Sequence, residues 1–166
     1  NRLTMMGAMI STVAAGFIVF HQLYWAGIIF AVASLLDVFD GAVARVAGKT
    51  TQFGAFLDST FDRYAEGMVF AAIAHFYSSD ENTLMVGVTV VTLMNSFLIS
   101  YTRARAEGLH IECKIGLLTR PERITIICIG LILDILSISI IILFLLTTIT
   151  VLQRIIHVAM SSDHDS

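Results

Sequence analysis

Apolar positions dominate the chain in long runs, and the polar residues that interrupt them come in tight groups. Runs over 3–20, 23–44, 52–77 and 83–106 are each close to the roughly 17 to 25 residues that cross a hydrocarbon core as a helix. From Arg120 to Arg154 the apolar pattern is nearly continuous, broken only around Asp134, Ser137 and Ser139. One helix of that length, rising about 1.5 Å per residue, overshoots a core of ~30 Å. Two shorter helices with a turn near residues 134–139 fit better, so the pattern predicts six transmembrane helices.

Composition agrees. The chain has 166 residues, 57% of them hydrophobic and 14% charged, with a mean hydropathy of +0.84, whereas soluble domains carry about 25% charged residues. These values predict an all-α, polytopic membrane protein: one transmembrane domain over 1–166, a six-helix bundle. Cys113 and Cys128 have neither the number nor the spacing of a disulfide framework or a zinc site. The apolar pattern starts at once from Asn1, without a basic leader and small-residue cleavage site, and further chain is expected upstream.

The ten Lys and Arg residues test the helix count. With six helices they fall at or near one side: the N-terminus, the 45–51 loop, the 105–120 loop and the C-terminal end. The opposite connections, "FHQLYW", "SSDEN" and the turn at Asp134, carry none. Basic residues stay inside, so both termini are expected in the cytoplasm, with the chain in the cell (inner) membrane. Tyr24, Trp25, Phe76 and Tyr77 are expected to form an aromatic belt on the far side. No nucleic-acid partner is expected.

Against this background, four aspartates between residues 37 and 62 stand out. Asp37 and Asp40 lie three apart near the end of the second helix, and Asp58 and Asp62 four apart in the third, so each pair shares a helical face. The short 46–51 loop predicts that these helices are antiparallel neighbours whose acidic faces converge. Carboxylates gathered in a low-dielectric setting call for compensation, and oxygen-only ligands favour a hard cation, Mg²⁺ or Mn²⁺. Four carboxylates can hold two such ions, the arrangement that clamps phosphates and activates a hydroxyl. Gly41, Ala42, Ala44 and Gly54 leave room beside them. Arg45 can bind a diphosphate bidentately, and Lys49 adds charge at the mouth. A cation or proton transporter is the alternative of a different class, but such sites usually sit at the membrane midplane on broken helices, and this cluster lies towards a helix end.

The spacing Asp37-x2-Asp40-Gly41-x2-Ala44-Arg45-x8-Gly54-x3-Asp58-x3-Asp62 fixes eight identities over 26 positions. It resembles, without a departure, the signature of the CDP-alcohol phosphotransferase family, and the resemblance covers essentially the whole chain. It implies a six-helix membrane enzyme with a polar cavity facing the cytoplasm, in which CMP is displaced from a CDP-linked donor by an acceptor hydroxyl. By that resemblance Asp37, Asp40, Asp58 and Asp62 are metal ligands, and Asp62 is also the general base. Gly41, Arg45, Thr51 and Gly54 line the CDP pocket with Asp37, Asp40 and Ala44. Asn1 and Thr4, in the opening "NRLTMMG", help to hold the CDP moiety. Family members usually carry an amphipathic juxtamembrane helix before this point, which the expected upstream segment would supply, and the resemblance suggests a homodimer.

A second basic cluster bears on the acceptor. Arg103, Arg105, Arg120, Arg123 and Arg154 surround one loop and the end of the last helix. Flanking charge alone would satisfy topology, but five arginines around one cavity suit a phosphorylated acceptor. "LDSTFDR", "RARAEG", "RPER" and "QRIIH" look similar to the family branch that makes phosphatidylinositol phosphate, or its archaeal ether-lipid counterpart, where basic residues at these places hold inositol phosphate. Arg103 stands where Lys is frequent in that branch, with the charge retained. A glycerol phosphate acceptor and a soluble CDP-inositol donor, each used in a neighbouring branch, stay open. Glu66 extends the Asp58–Asp62 stripe by four residues and is expected to pair with Arg63, or else to line the deeper cavity. His157, three after Arg154, is a candidate for the border of the acceptor site, whereas His21, His75, His110 and His164 show no ligand spacing.

Overall fold

The computed structural model describes the backbone of residues 2–46 and 51–162, and side chains over 5–36 and 51–161. Within these limits the chain is all-α, with helices α1 (Arg2–Val19), α2 (Leu23–Val46), α3 (Gln52–Ser79), α4 (Thr83–Glu107), α5 (Arg120–Ile132) and α6 (Leu136–Ser162). The break in the last apolar region falls at residues 133–135, at the near edge of the predicted turn, so Ser137 and Ser139 lie inside α6. Four helix ends close with the same device. Gln22 N–H reaches Phe17 O, Asn82 N–H reaches Tyr77 O, Ile111 N–H reaches Ala106 O and Ile135 N–H reaches Gly130 O, each at 2.9 Å. These bonds satisfy terminal carbonyls, and each needs a left-handed residue just before the donor. His21, Glu81, His110 and Asp134 supply it, with φ between 56° and 63°.

Neighbouring helices form a ring in the order α1, α2, α5, α6, α4, α3 and back to α1, and among the described residues the backbone of each helix packs closely against two others. The end of α2 that carries Asp37 and Asp40, where the acidic faces are expected to converge with α3, lies outside the described side chains; over the rest, α1 packs against both α2 and α3. The sequence of α1 explains it. Its buried stripe is Gly7, Ala8, Ser11, Ala14, Ala15 and Ile18, mostly small residues that let two helices approach one. Close packing recurs between α2 and α5, where a Cβ on Gly27 would stand 2.6 Å from Ile132 Cγ1.

The bundle is apolar outside and partly polar inside. Down α6, Ile138, Ile141, Leu145, Ile149 and Leu152 are exposed, while Ser139, Thr147, Thr150 and Arg154 are buried. On α4, Thr89, Thr92, Asn95 and Ser96 face inwards, and Asn95 Nδ2 donates to Thr148 Oγ1 at 2.9 Å. This inversion suits a lipid exterior, where interhelical hydrogen bonds and small residues, rather than apolar burial, join helices. Helices α4 and α6 are long and apolar enough to cross a membrane. α5 has 13 residues, which at about 1.5 Å each is shorter than a hydrocarbon core.

The three short turns meet at one end. There Tyr24 and Trp25 are exposed, as an aromatic belt requires, and Phe76 packs on His21 with ring centroids 4.7 Å apart. Tyr77 departs from the belt. It is buried and its hydroxyl donates to Ser137 Oγ at 3.0 Å, tying α3 to α6. Phe30, Phe70, Ile73, Ile127, Leu131 and Leu143 fill the ring in this half. The other half is left for polar residues.

Candidate active site

At the opposite end the ring encloses a cavity of about 350 Å³ walled by α3, α4, α5 and α6. Five guanidinium groups line it, from Arg63, Arg103, Arg120, Arg123 and Arg154, with three carboxylates, from Asp62, Glu66 and Glu107. Each carboxylate has an arginine. Arg120 Nη1 meets Asp62 Oδ1 at 2.9 Å, and Arg103 Nε meets Glu107 Oε1 at 2.9 Å on the half-exposed rim. Arg123 donates through Nε and Nη2 to the two oxygens of Glu66 at 2.9 and 3.1 Å. The two remaining arginines are directed by backbone. Arg63 Nη1 donates to Ser59 O, while Arg154 donates through Nε to Ile115 O at 3.0 Å and through Nη1 to Ile99 O. Two positive charges are thus left without a carboxylate among the described residues, which suits an anion as occupant.

Local sequence places these groups. Thr119, Pro121 and Glu122 set the start of α5: the Thr119 N–H donates to Glu122 Oε2 at 2.9 Å, and Pro121 sits in the first turn, where no N–H donor is needed. Arg120 and Arg123, three apart, therefore face the cavity together. Arg154 is held by the loop before α5. Leu118 N–H donates to Thr150 Oγ1 at 3.3 Å, and Gly116, with φ of 134°, lets the loop pass so close that a Cβ would stand 2.7 Å from Thr150 Cγ2.

Of the expected acceptor residues, the cavity brings together Arg103, Arg120, Arg123 and Arg154. Arg105 is exposed and is not in the lining, since two steps along a helix turn a side chain by about 200°. His157 also lies outside the lining; its Nε2 is 2.9 Å from Glu112 O, so it fastens the loop to α6. Glu66 lines the cavity as one expectation had it, but its partner is Arg123 rather than Arg63. Arg63 and Glu107 are cavity residues that the sequence reading did not assign; their helical registers, one step after Asp62 and four after Arg103, were the available signal.

Asp58 and Asp62 stand one turn apart on α3, the first exposed and the second half-buried. Thr51 caps α3, its hydroxyl accepting from Gly54 N–H at 3.0 Å. That bond fixes the helix start from which both aspartates project. The side chains of Asn1, Thr4, Asp37, Asp40, Gly41, Ala44 and Arg45 lie outside the described residues. Among those described, no three His, Cys, Asp or Glu residues gather as a metal site; Asp37 and Asp40, expected in the acidic set, lie outside them. The α3 half offers oxygen donors only, which fits a hard divalent ion.

Beside the polar cavity, an apolar groove of about 320 Å³ runs between α2 and α5, lined by Ala31, Leu35, Ile124, Cys128 and Ile129. Arg120 belongs to both linings, so the groove opens towards the charged site.

Comparison with known proteins agrees with this arrangement. The family model for CDP-alcohol phosphatidyltransferase matches residues 1–161. The archaetidylinositol phosphate synthase of Pyrococcus horikoshii is 37% identical over 156 residues, 93% of this chain and 80% of its own. The phosphatidylinositol phosphate synthase of Mycolicibacterium smegmatis is 40% identical over 111 residues, 66% of this chain and 50% of its own. The crystal structure of Mycobacterium tuberculosis phosphatidylinositol phosphate synthase with manganese and citrate superposes with a TM-score of 0.87 at 30% identity, over 94% of this chain and 80% of that one. The same enzyme with CDP-DAG bound gives a TM-score of 0.86, also at 30% identity, over 94% of this chain and 84% of that one. With its aspartate signature, its helical ring and a family match along nearly its full length, this chain belongs to the CDP-alcohol phosphatidyltransferase family.

Proposed function

We propose that the chain transfers the substituted phosphate of a CDP-linked lipid to a hydroxyl of inositol phosphate and releases CMP. The observation that carries this reading is the cavity itself, where among the described residues arginines outnumber carboxylates beside Asp62. An uncharged alcohol such as inositol has no use for that excess, whereas a phosphomonoester does. The apolar groove that shares Arg120 with the cavity supports a donor with acyl or isoprenoid chains over soluble CDP-inositol.

In this reading Asp37, Asp40, Asp58 and Asp62 hold two Mg²⁺ or Mn²⁺ ions. When bound, such ions neutralise the diphosphate and stabilise CMP as it leaves. Arg45, Gly41, Ala44, Thr51, Gly54, Asn1 and Thr4 accommodate the CDP group. Arg103, Arg120, Arg123 and Arg154 hold the acceptor's phosphate, and Arg105 adds positive charge near the mouth. Asp62 takes the proton of the attacking hydroxyl as the new O–P bond forms and the bond to CMP breaks. Six membrane-associated helices, both termini in the cytoplasm and a homodimeric assembly complete the proposal.

A panel of acceptors tests it. Purified protein supplied with a CDP-linked lipid is expected to release CMP with inositol phosphate far faster than with glycerol phosphate, serine or inositol. Arg103→Ala, which removes only a half-exposed ion pair, should raise KM for inositol phosphate about tenfold and leave KM for the donor unchanged. Preference for glycerol phosphate, or equal shifts in both constants, would contradict the acceptor assignment.

A further inference from the structure

Glu66 is the deepest charged group of the cavity without a place in the chemistry just described. Its side chain is 3% exposed and that of its partner Arg123 is 2% exposed. The two come from α3 and α5, whose backbones are not neighbours in the ring, so the pair spans the bundle interior. Its geometry is two-pronged, with Nε and Nη2 each donating to a separate carboxylate oxygen. That fixes the guanidinium plane. The remaining N–H groups of Arg123 are left for the cavity it lines.

A buried ion pair is a poor device for stability alone, because well-packed apolar residues of similar volume often serve as well or better. Orientation gives it a purpose. An arginine held rigid before its ligand arrives loses less freedom on binding than one that must be ordered. Arg103, half-exposed on the rim, is held by one prong only, Nε to Glu107 Oε1. We propose that Glu66 is a positioning residue for the acceptor: it holds Arg123 in the orientation that receives the acceptor's phosphate. This deepens the acceptor reading above and rests on it.

Two variants test the inference, each with separate readouts. In Glu66→Gln one of the two acceptor oxygens is replaced by an NH2 that can only donate, and in Glu66→Asp the charge stays but the reach shortens. Both are expected to raise KM for inositol phosphate about tenfold or more, with kcat and donor KM within about twofold of wild type. Titration with inorganic phosphate in chelator-containing buffer should show binding weakened about tenfold in both variants. If wild type releases no CMP with inositol phosphate while phosphate binding still weakens in the variants, the acceptor reading fails and the positioning role stands. The positioning role is overturned if either folded variant keeps wild-type phosphate binding and acceptor KM. It is equally overturned if both KM values and kcat decline together with the thermal midpoint, the pattern of a brace that holds helices and orients nothing. Should Glu66→Gln fail to fold, Glu66→Asp decides by the same criteria.

Discussion

In the proposed reaction Asp62 takes the proton of the acceptor's hydroxyl, and Arg120, 2.9 Å away, holds one of its oxygens. Replacing Asp62 by Asn keeps the size and removes the capacity to take a proton. CMP release should fall below detection while a CDP-linked lipid binds the purified variant within a few-fold of wild type; turnover that survives would remove Asp62 from that role. That Asp58 and Asp62 share one face of α3 was legible from spacing alone, since i, i+4 places them so whatever the bundle does. The partner of Glu66 was not. Sequence spacing offered Arg63 at i−3, but Arg63 is drawn to the Ser59 carbonyl, and Arg123 arrives from 57 residues away. Tyr77 was likewise misplaced at the lipid boundary, because nothing in its neighbours announces Ser137 as a buried partner.

The helices themselves were written in the apolar runs, and their ends in the polar interruptions. Helix order was harder to read. A short connection usually joins spatial neighbours, and over the described residues α1 also packs against both α2 and α3, because its small-residue stripe admits both. The left-handed turn at Glu81 is another feature hidden by composition, since glutamate is not a residue that favours positive φ. Glu81, exposed with φ of 56°, offers a clean test. Glu81→Gly relieves its backbone strain and should stabilise the protein by about 1 kcal/mol, raising the thermal midpoint in detergent by a few degrees. A lowered midpoint would mean that the turn does not require the left-handed conformation.

At the scale of the molecule, the ring separates two functions. One half is filled with apolar side chains and carries the tight turns. The other keeps its centre open for charge and shares Arg120 with a groove that faces the apolar exterior. In the proposed reaction that layout would bring a lipid-borne donor and a water-borne, phosphorylated acceptor to the same carboxylates from different sides. The cavity was foreseeable as a concentration of arginines near one membrane face. Its shape was not, because the loop 108–119 that Arg154 fastens carries no periodic pattern. The most direct test is CMP release by purified protein in detergent or liposomes, given CDP-diacylglycerol and inositol phosphate, with Mn²⁺ or with excess chelator. Release with the metal and none with chelator is the predicted result; metal-independent release, or cation flux across liposomes without any CMP, would contradict the account.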